Sequence, residues 1–226
     1  MRGMSTLIEV AANVYTFPHD PDRRKIQPSV GVVVSGDATL LYDCGNGTRH
    51  ARQIQQALDA IHAPPVTHIV YSHWHWDHVF GACSFPGADV IAHARTRDHL
   101  KEYNKRPWTP ESVAAQIPER PWYAAILDAI DDWDAFHVVP PAITFDHPCY
   151  TFRFGAFTLE IEHVGGKHSD DSVVLKVVEP RVMFLGDSYY PRADGIDREY
   201  NAPMIEHLKA AAYTTYIDGH RGQVFR

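Results

Sequence analysis

The stretch HWHWDH, residues 73–78, follows an apolar run, Val66–Ser72, that is typical of a buried strand. In an extended or loop backbone, side chains two residues apart project to the same side, so His73 and His75 can direct two neutral imidazoles at one ion. Asp77 and His78, where the chain turns onward, can serve a second ion nearby. The stretch therefore predicts a metal site at the carboxyl end of a buried strand, where open α/β sheets place their sites.

Three later features can complete this ligand set, and each follows a predicted strand. They are His168 in the segment GGKHS, Asp187 in FLGDS and His220 in DGH. The alternative is a chance cluster, because 15 of the 226 residues are histidine. A pattern such as residues 73–78 arises by accident in about five of a thousand chains of this composition. The three later features follow residues 73–78 in the chain, each after a predicted strand, and this order favours the metal site over a chance cluster.

Composition limits the class of protein and its partners. A chain of 226 residues with 45% hydrophobic and 22% charged side chains predicts one globular domain, 1–226, with a substantial core. The net charge of −7 disfavours nucleic-acid binding, which normally needs a basic surface. No apolar run approaches the roughly 18 residues of a membrane span. We therefore expect a small-molecule substrate, with neither nucleic acid nor membrane as partner.

The cysteines and the N-terminus indicate the compartment. Cys44, Cys83 and Cys149 are odd in number and far apart, which disfavours a disulfide framework and a thiolate zinc site. Residues 1–14 lack the uninterrupted apolar core of a secretion signal. We therefore expect a cytoplasmic protein.

The order of elements predicts a layered α/β sandwich with mixed sheets, because strands connected by hairpins alternate with strands connected by helices. One helix is expected with Ile54, Leu58 and Ile61 on one face, ending at residues 63–65, and another at about Ala202–Ala212. From about 95 to 139 the pattern becomes helical and rich in proline and tryptophan, which indicates an insertion. The predicted strands are Val30–Val34, Thr39–Tyr42, Val66–Ser72, Asp89–Ala92, Tyr150–Phe154, Phe157–Val164, Ser172–Val178, Arg181–Leu185 and Thr214–Asp218.

This set of motifs resembles the metallo-β-lactamase superfamily from about Val30 to His220. The resemblance implies a four-layer αββα sandwich of two mixed β-sheets flanked by helices, with metals at one edge. It implies that Asp43 supports the metal ligands through hydrogen bonds, although a simple turn former is the alternative. The ligands that it implies are His73, His75 and His168 for the first ion, Asp77, His78 and His220 for the second, and Asp187 as the bridge.

The ligand types indicate the metal. Imidazoles and carboxylates without thiolate suit zinc and would tolerate iron or manganese. The di-iron branch that the superfamily contains generally has glutamate where this chain has His75. Two Zn²⁺ ions per chain are therefore expected.

The resemblance implies a dinuclear zinc hydrolase, in which a metal-bridging hydroxide attacks a carbonyl carbon and Asp77 orients the nucleophile and accepts its proton. The expected substrate is a lactone, ester or thioester. One alternative is β-lactamase activity, but one class of those enzymes has a cysteine at the position of Asp187 and a lysine at that of Tyr190. A second alternative is an iron-containing oxidoreductase, such as a relative of sulfur dioxygenases.

Other residues are candidates for specificity. Trp76 could line the pocket or pack beneath it, whereas alternation favours packing for Trp74. Lys167 could attract an anionic group or be a solvated lysine. A hydroxyl of Tyr189 or Tyr190 could donate to a developing oxyanion, or these side chains could pack at the core or rim. The insertion could form a lid, pack on the core or form a dimer surface, so a homodimer is compatible with the sequence. Since only six residues follow His220, the domain could be short of a C-terminal helix.

Overall fold

Two mixed β-sheets lie face to face in the computed structural model, which describes residues 6–225. In the first sheet seven strands follow chain order, antiparallel from β1 to β4 and parallel from β4 to β7. Its strands are β1 (Ile8–Ala11), β2 (Val14–Phe17), β3 (Val30–Ser35), β4 (Ala38–Tyr42), β5 (Val66–Val70), β6 (Asp89–His93) and β7 (Ile143–Phe145).

The second sheet has six strands, and only its β11–β12 pair is parallel. Their spatial order is β13 (Gly222–Val224), β12 (Thr215–Asp218), β11 (Val182–Gly186), β10 (Val173–Val177), β9 (Phe157–His163) and β8 (Cys149–Phe154). Short hairpins join β8 to β9 and β10 to β11, whereas a helix leads from β11 to the parallel β12, as a parallel connection requires.

Helices cover both outer faces. Five of them lie on the first sheet: α1 (Thr48–Ala60), α2 (Trp76–Val79), α3 (Ala94–Tyr103), α4 (Pro110–Ala114) and α5 (Tyr123–Ala129). The second sheet is covered by α6 (Ala202–Ala210), whose Leu208 packs on Val174 and Met183. Two short 3₁₀ helices occupy Arg23–Lys25 and Ala82–Ser84.

The alternation of side chains along the strands explains these layers. In β3, Val32 packs towards the helices, whereas Val33 faces the other sheet. The core between the sheets joins Leu40 and Val70 to Leu175. At Gly31 a Cβ atom would lie 2.7 Å from the Phe184 ring, so the sheets approach closely there. The predicted four-layer αββα sandwich is confirmed.

The sequence patterns missed β1, β2, β7 and β13. Each has only three or four residues, too few to show a reliable alternation. Ile61, expected on the buried face of α1, follows the last helical residue and is 38% exposed. The proline pair just after it ends the helix early. Of the predicted domain 1–226, residues 1–5 and 226 lie outside the described part.

The insertion from about 95 to 139 contains α3, α4 and α5. Thr109 caps α4 by accepting a hydrogen bond from the backbone N–H of Ser112 at 3.2 Å. Val113, Ile126 and Phe136 are buried in the core on the outer face of the first sheet. The insertion is therefore part of the helical layer. No helix within residues 6–225 has the length and apolar character needed to cross a bilayer.

Candidate metal centre

The seven predicted ligand residues meet at one edge of the sandwich. His73 and His75 lie in the loop after β5, and the first turn of α2 carries Asp77 and His78. The others come from three further loops, after β9, β11 and β12: His168, Asp187 and His220. Three groups of imidazole and carboxylate atoms lie within mutual reach there: His73, His75 and His168; His73, His78 and Asp187; and Asp77, His78 and His220.

The first group is a cluster of three imidazoles. His73 Nε2 and His168 Nε2 lie 2.9 Å and 3.0 Å from His75 Nδ1. His168 Nδ1 donates to the carbonyl oxygen of Pro191 at 3.0 Å, which leaves the lone pair on its Nε2. Burial and the neighbouring imidazoles lower the pKa of His73 well below its usual value, and lower that of His75 to about 3. Three imidazoles thus converge, as a metal site needs, and burial favours the neutral form of His73 and His75.

The group of Asp77, His78 and His220 combines two imidazoles with a carboxylate. Asp77 Oδ2 lies 3.4 Å from His78 Nε2 and 3.2 Å from His220 Nε2. Burial opposes protonation of His220, but the Asp187 and Asp77 carboxylates outweigh it and raise its pKa to about 10. Buried carboxylates therefore surround these imidazoles and favour a positive charge among them.

Asp43 fixes the orientation of His78. The fully buried Asp43 carboxylate accepts a hydrogen bond from His78 Nδ1 at 2.7 Å and another from the backbone N–H of Ser72 at 2.7 Å. The proton on Nδ1 leaves the Nε2 lone pair directed at the centre. Asp43 has a φ of +64°, a left-handed conformation that aspartate and asparagine tolerate better than most residues.

Asp187 lies between the three-imidazole group and the group of Asp77, His78 and His220. Its Oδ2 atom lies 3.4 Å from His168 Nε2, 3.6 Å from His78 Nε2 and 3.5 Å from His220 Nε2. A Cβ atom at Gly219 would lie 2.2 Å from Asp187 Oδ1, so only glycine leaves room for this carboxylate. The position of Asp187 suits a ligand shared by two ions.

Two buried atoms of this centre make no hydrogen bond with the described residues. They are His78 Nε2 and Asp187 Oδ1. Buried polar atoms are normally hydrogen-bonded, and an ion is one of the partners that explains an exception. A cation at the centre would satisfy His78 Nε2, and the histidine and aspartate donors fit zinc. The residues present therefore fit the metal that the sequence predicted.

A cavity of about 670 Å³ opens over the centre. Ligand residues form its floor, and Tyr190 and Tyr200 contribute to its wall. Sequence reasoning missed the opposite wall, which comes from residues 19–27 and includes His19 and Arg23. Arg221, next to His220, completes the lining. No motif marks residues 19–27, because only the folded chain brings them to the site.

Two of the other specificity candidates, Trp76 and Lys167, have partners away from the centre. Trp76 is buried and stacks on Trp122, with ring centroids 6.2 Å apart, so it packs beneath the site. The Trp74 ring lies 5.0 Å from that of His99 and 4.9 Å from that of His75. Lys167 forms an ion pair with Asp197.

Tyr189 and Tyr190 both donate their hydroxyl protons to the buried Asp218 carboxylate, each over 2.5 Å. In this arrangement neither hydroxyl has a proton left for an oxyanion, since a phenol has one proton to donate. Asp218 also accepts from the backbone N–H of His220 at 2.7 Å. Within the described residues, the insertion supplies none of the cavity lining, and its buried side chains pack on the core.

Comparisons with solved structures agree with this fold. A metallo-β-lactamase from Pontibacter korlensis superposes with a TM-score of 0.63 at 17% identity, covering 96% of this chain and 91% of that one. The metallo-β-lactamase DIM-1 superposes with a TM-score of 0.62 at 14% identity, covering 96% of this chain and 89% of that one. The sec-alkylsulfatase Pisa1 from Pseudomonas sp. gives 0.69 at 16% identity, and this chain matches only 39% of its length.

A search of curated protein sequences finds no match. The family model of the metallo-beta-lactamase superfamily matches residues 23–220, which is most of the chain. This match agrees with the two facing mixed sheets and with the histidine and aspartate centre at their edge. The chain therefore belongs to the metallo-β-lactamase superfamily.

Proposed function

We propose that the protein is a dinuclear zinc hydrolase that cleaves a small carbonyl substrate, namely a lactone, an ester or a thioester. The observation that carries this proposal is the position of Asp187 Oδ2, within 3.6 Å of imidazole nitrogens from both ligand groups. A carboxylate shared in this way suits paired ions about 3.5–4 Å apart, the spacing used in two-metal hydrolysis.

The proposed ligands divide between the two ions. His73, His75 and His168 would hold the first, Asp77, His78 and His220 the second, and Asp187 both. When bound, two such cations lower the pKa of water from 15.7 to near 7 and polarise a carbonyl oxygen. Neutral histidines and ionised carboxylates are the forms that bind a metal, and burial already keeps His75 neutral.

Asp77 is the proposed catalytic residue. Its carboxylate lines the cavity, and its Oδ2 lies 3.2 Å from His220 Nε2. In this role it orients the attacking water and accepts its proton. The cavity of about 670 Å³ is within the range of small-molecule sites, roughly 300–1,000 Å³. The reaction then needs no serine or cysteine nucleophile.

The alternatives differ in metal or in substrate. His75, where the di-iron branch generally has glutamate, favours zinc over an iron-containing oxidoreductase. A β-lactam substrate is less favoured, because Tyr190 stands where one class of those enzymes has a lysine. The similarity to an alkylsulfatase adds a secondary alkyl sulfate to the substrates that should be tested.

Elemental analysis followed by hydrolysis assays tests the proposal. We expect about two zinc ions per chain and chelator-sensitive turnover of a lactone, an ester or a thioester. The His168→Ala variant should lose zinc and turnover, whereas His147→Ala, a change at an exposed histidine away from the centre, should retain both. Iron with no hydrolysis would favour the oxidoreductase, and less than one metal per chain would refute the ligand assignment.

A further inference from the structure

Two arginines line the cavity without a carboxylate partner. Within residues 6–225, no carboxylate oxygen lies within 4.0 Å of a side-chain nitrogen of Arg23 or Arg221. Their basic neighbours are paired: Arg24 with Asp22, Lys25 with Asp20, Lys167 with Asp197, and Arg192 with Asp194. The two guanidinium groups at the cavity are therefore available to an anion.

The carboxylates that line the cavity are engaged with other groups than these two arginines. Its lining contains three carboxylates, those of Asp20, Asp77 and Asp187. Asp20 accepts from Lys25 and from the backbone N–H of Asp22. The other two carboxylates belong to the proposed metal centre, where bound cations would more than neutralise them. A positive cavity wall stands out in a chain of net charge −7 and implies a negatively charged ligand.

Arg221 is held in place by aromatic rings. Its guanidinium carbon lies 4.5 Å from the centroid of the Tyr200 ring and 5.6 Å from that of Tyr190. The Tyr190 ring in turn lies 5.9 Å from the ring of His168 and 6.2 Å from that of His220. One aromatic ring thus separates Arg221 from the metal ligands. Stacking occupies the face of a guanidinium and leaves its edge N–H groups free for a carboxylate.

The backbone near Arg23 is also anchored. The side-chain amide of Asn46 donates to the carbonyl oxygens of Lys25 and Ile26 at 2.8 Å and 3.0 Å. The side chain of Asp22 caps the 3₁₀ helix that begins at Arg23. An anchored loop loses little conformational entropy when it binds a ligand, which favours a built subsite.

We propose that Arg221, assisted by Arg23, binds a carboxylate that the substrate carries in addition to its scissile carbonyl group. The natural substrate is then an anionic lactone, ester or thioester short enough to reach from Arg221 to the metal centre. This inference rests on the proposed hydrolase function. A guanidinium suits it because two parallel N–H groups match the two oxygens of a carboxylate.

A pair of esters that differ only in charge tests the inference. The zinc-loaded protein is assayed with 4-acetoxybenzoate and with its neutral amide, 4-acetoxybenzamide. We expect kcat/KM to favour the carboxylate by about tenfold, mainly through a lower KM. Arg221→Gln should remove most of that preference by raising KM for the anion alone. Arg192→Gln, a change at an exposed, ion-paired arginine outside the cavity lining, should keep it.

Calorimetric binding of 4-hydroxybenzoate and 4-hydroxybenzamide to the same proteins gives a readout independent of turnover. Arg221→Gln should weaken binding of the anion and leave binding of the amide unchanged. Equal kcat/KM values for the two esters in the wild type, or a preference that survives in Arg221→Gln, would overturn the inference while leaving the hydrolase intact. Hydrolysis of neither ester, nor of any other carbonyl substrate, would instead count against the proposed function.

Discussion

Replacing Asp43 with asparagine should weaken zinc binding by about 10- to 100-fold. The carboxylate accepts the Nδ1 proton of His78 at 2.7 Å, and this contact keeps the Nε2 lone pair directed at the metal centre. In Asp43→Asn, oxygen can still accept from the Ser72 N–H, but the amide NH₂ then faces His78 Nδ1. The imidazole must then move its proton from Nδ1 to Nε2. Otherwise its Nδ1–H group faces the amide N–H group with no acceptor between them. Losing such a partner of a metal ligand typically costs 10- to 100-fold in affinity.

The backbone should tolerate this change, because asparagine readily adopts the positive φ of position 43. The assay is a competition titration of the metal-free protein against a zinc-binding dye at pH 7. Asp131→Asn is the matched control, since Asp131 pairs with Arg52 on the surface away from the centre. A zinc affinity of Asp43→Asn within twofold of the wild type would refute the tautomer argument.

Three further changes have defined outcomes. Burial lowers the pKa of His50 to about 3, so the metal-free protein should lose up to about 1.4 kcal/mol of unfolding free energy per pH unit as pH falls from 6.5 towards 3. Urea titrations at pH 7 and pH 5 measure this: His50→Asn should lose less unfolding free energy between the two pH values than the wild type. Equal losses in the two proteins would exclude the effect. Gly219→Ala would place a Cβ atom 2.2 Å from Asp187 Oδ1 and should abolish binding of one zinc. The control is Gly36→Ala, whose Cβ atom would meet nothing within 4 Å, and it should lower the unfolding free energy without changing the zinc content. Tyr190→Phe should cost about 1.5–3 kcal/mol of unfolding free energy, because its hydroxyl donates to a buried carboxylate, but should lower kcat less than threefold; a large fall in kcat would restore a role at the substrate.

Sequence patterns predicted much of this molecule because the relevant information is local. The ligand types at 73–78 and the apolar run before them are adjacent in the chain, and periodicity gives strands such as β9 and β10 within one or two residues. The short β7 and β13 were missed, since three residues carry no periodicity and only pairing with a neighbouring strand defines them.

The sequence by itself determined the class of fold, the family and the residue types of the metal centre. Tertiary structure alone decided which distant groups meet: the cavity wall from residues 19–27, the contact of Asp43 with His78, and the Tyr189 and Tyr190 hydroxyls turned to Asp218. The physical reason is that a hydrogen bond or a cavity wall depends on distances across the fold. Those distances follow from strand order and sheet packing, which bring residues such as 43 and 78 together.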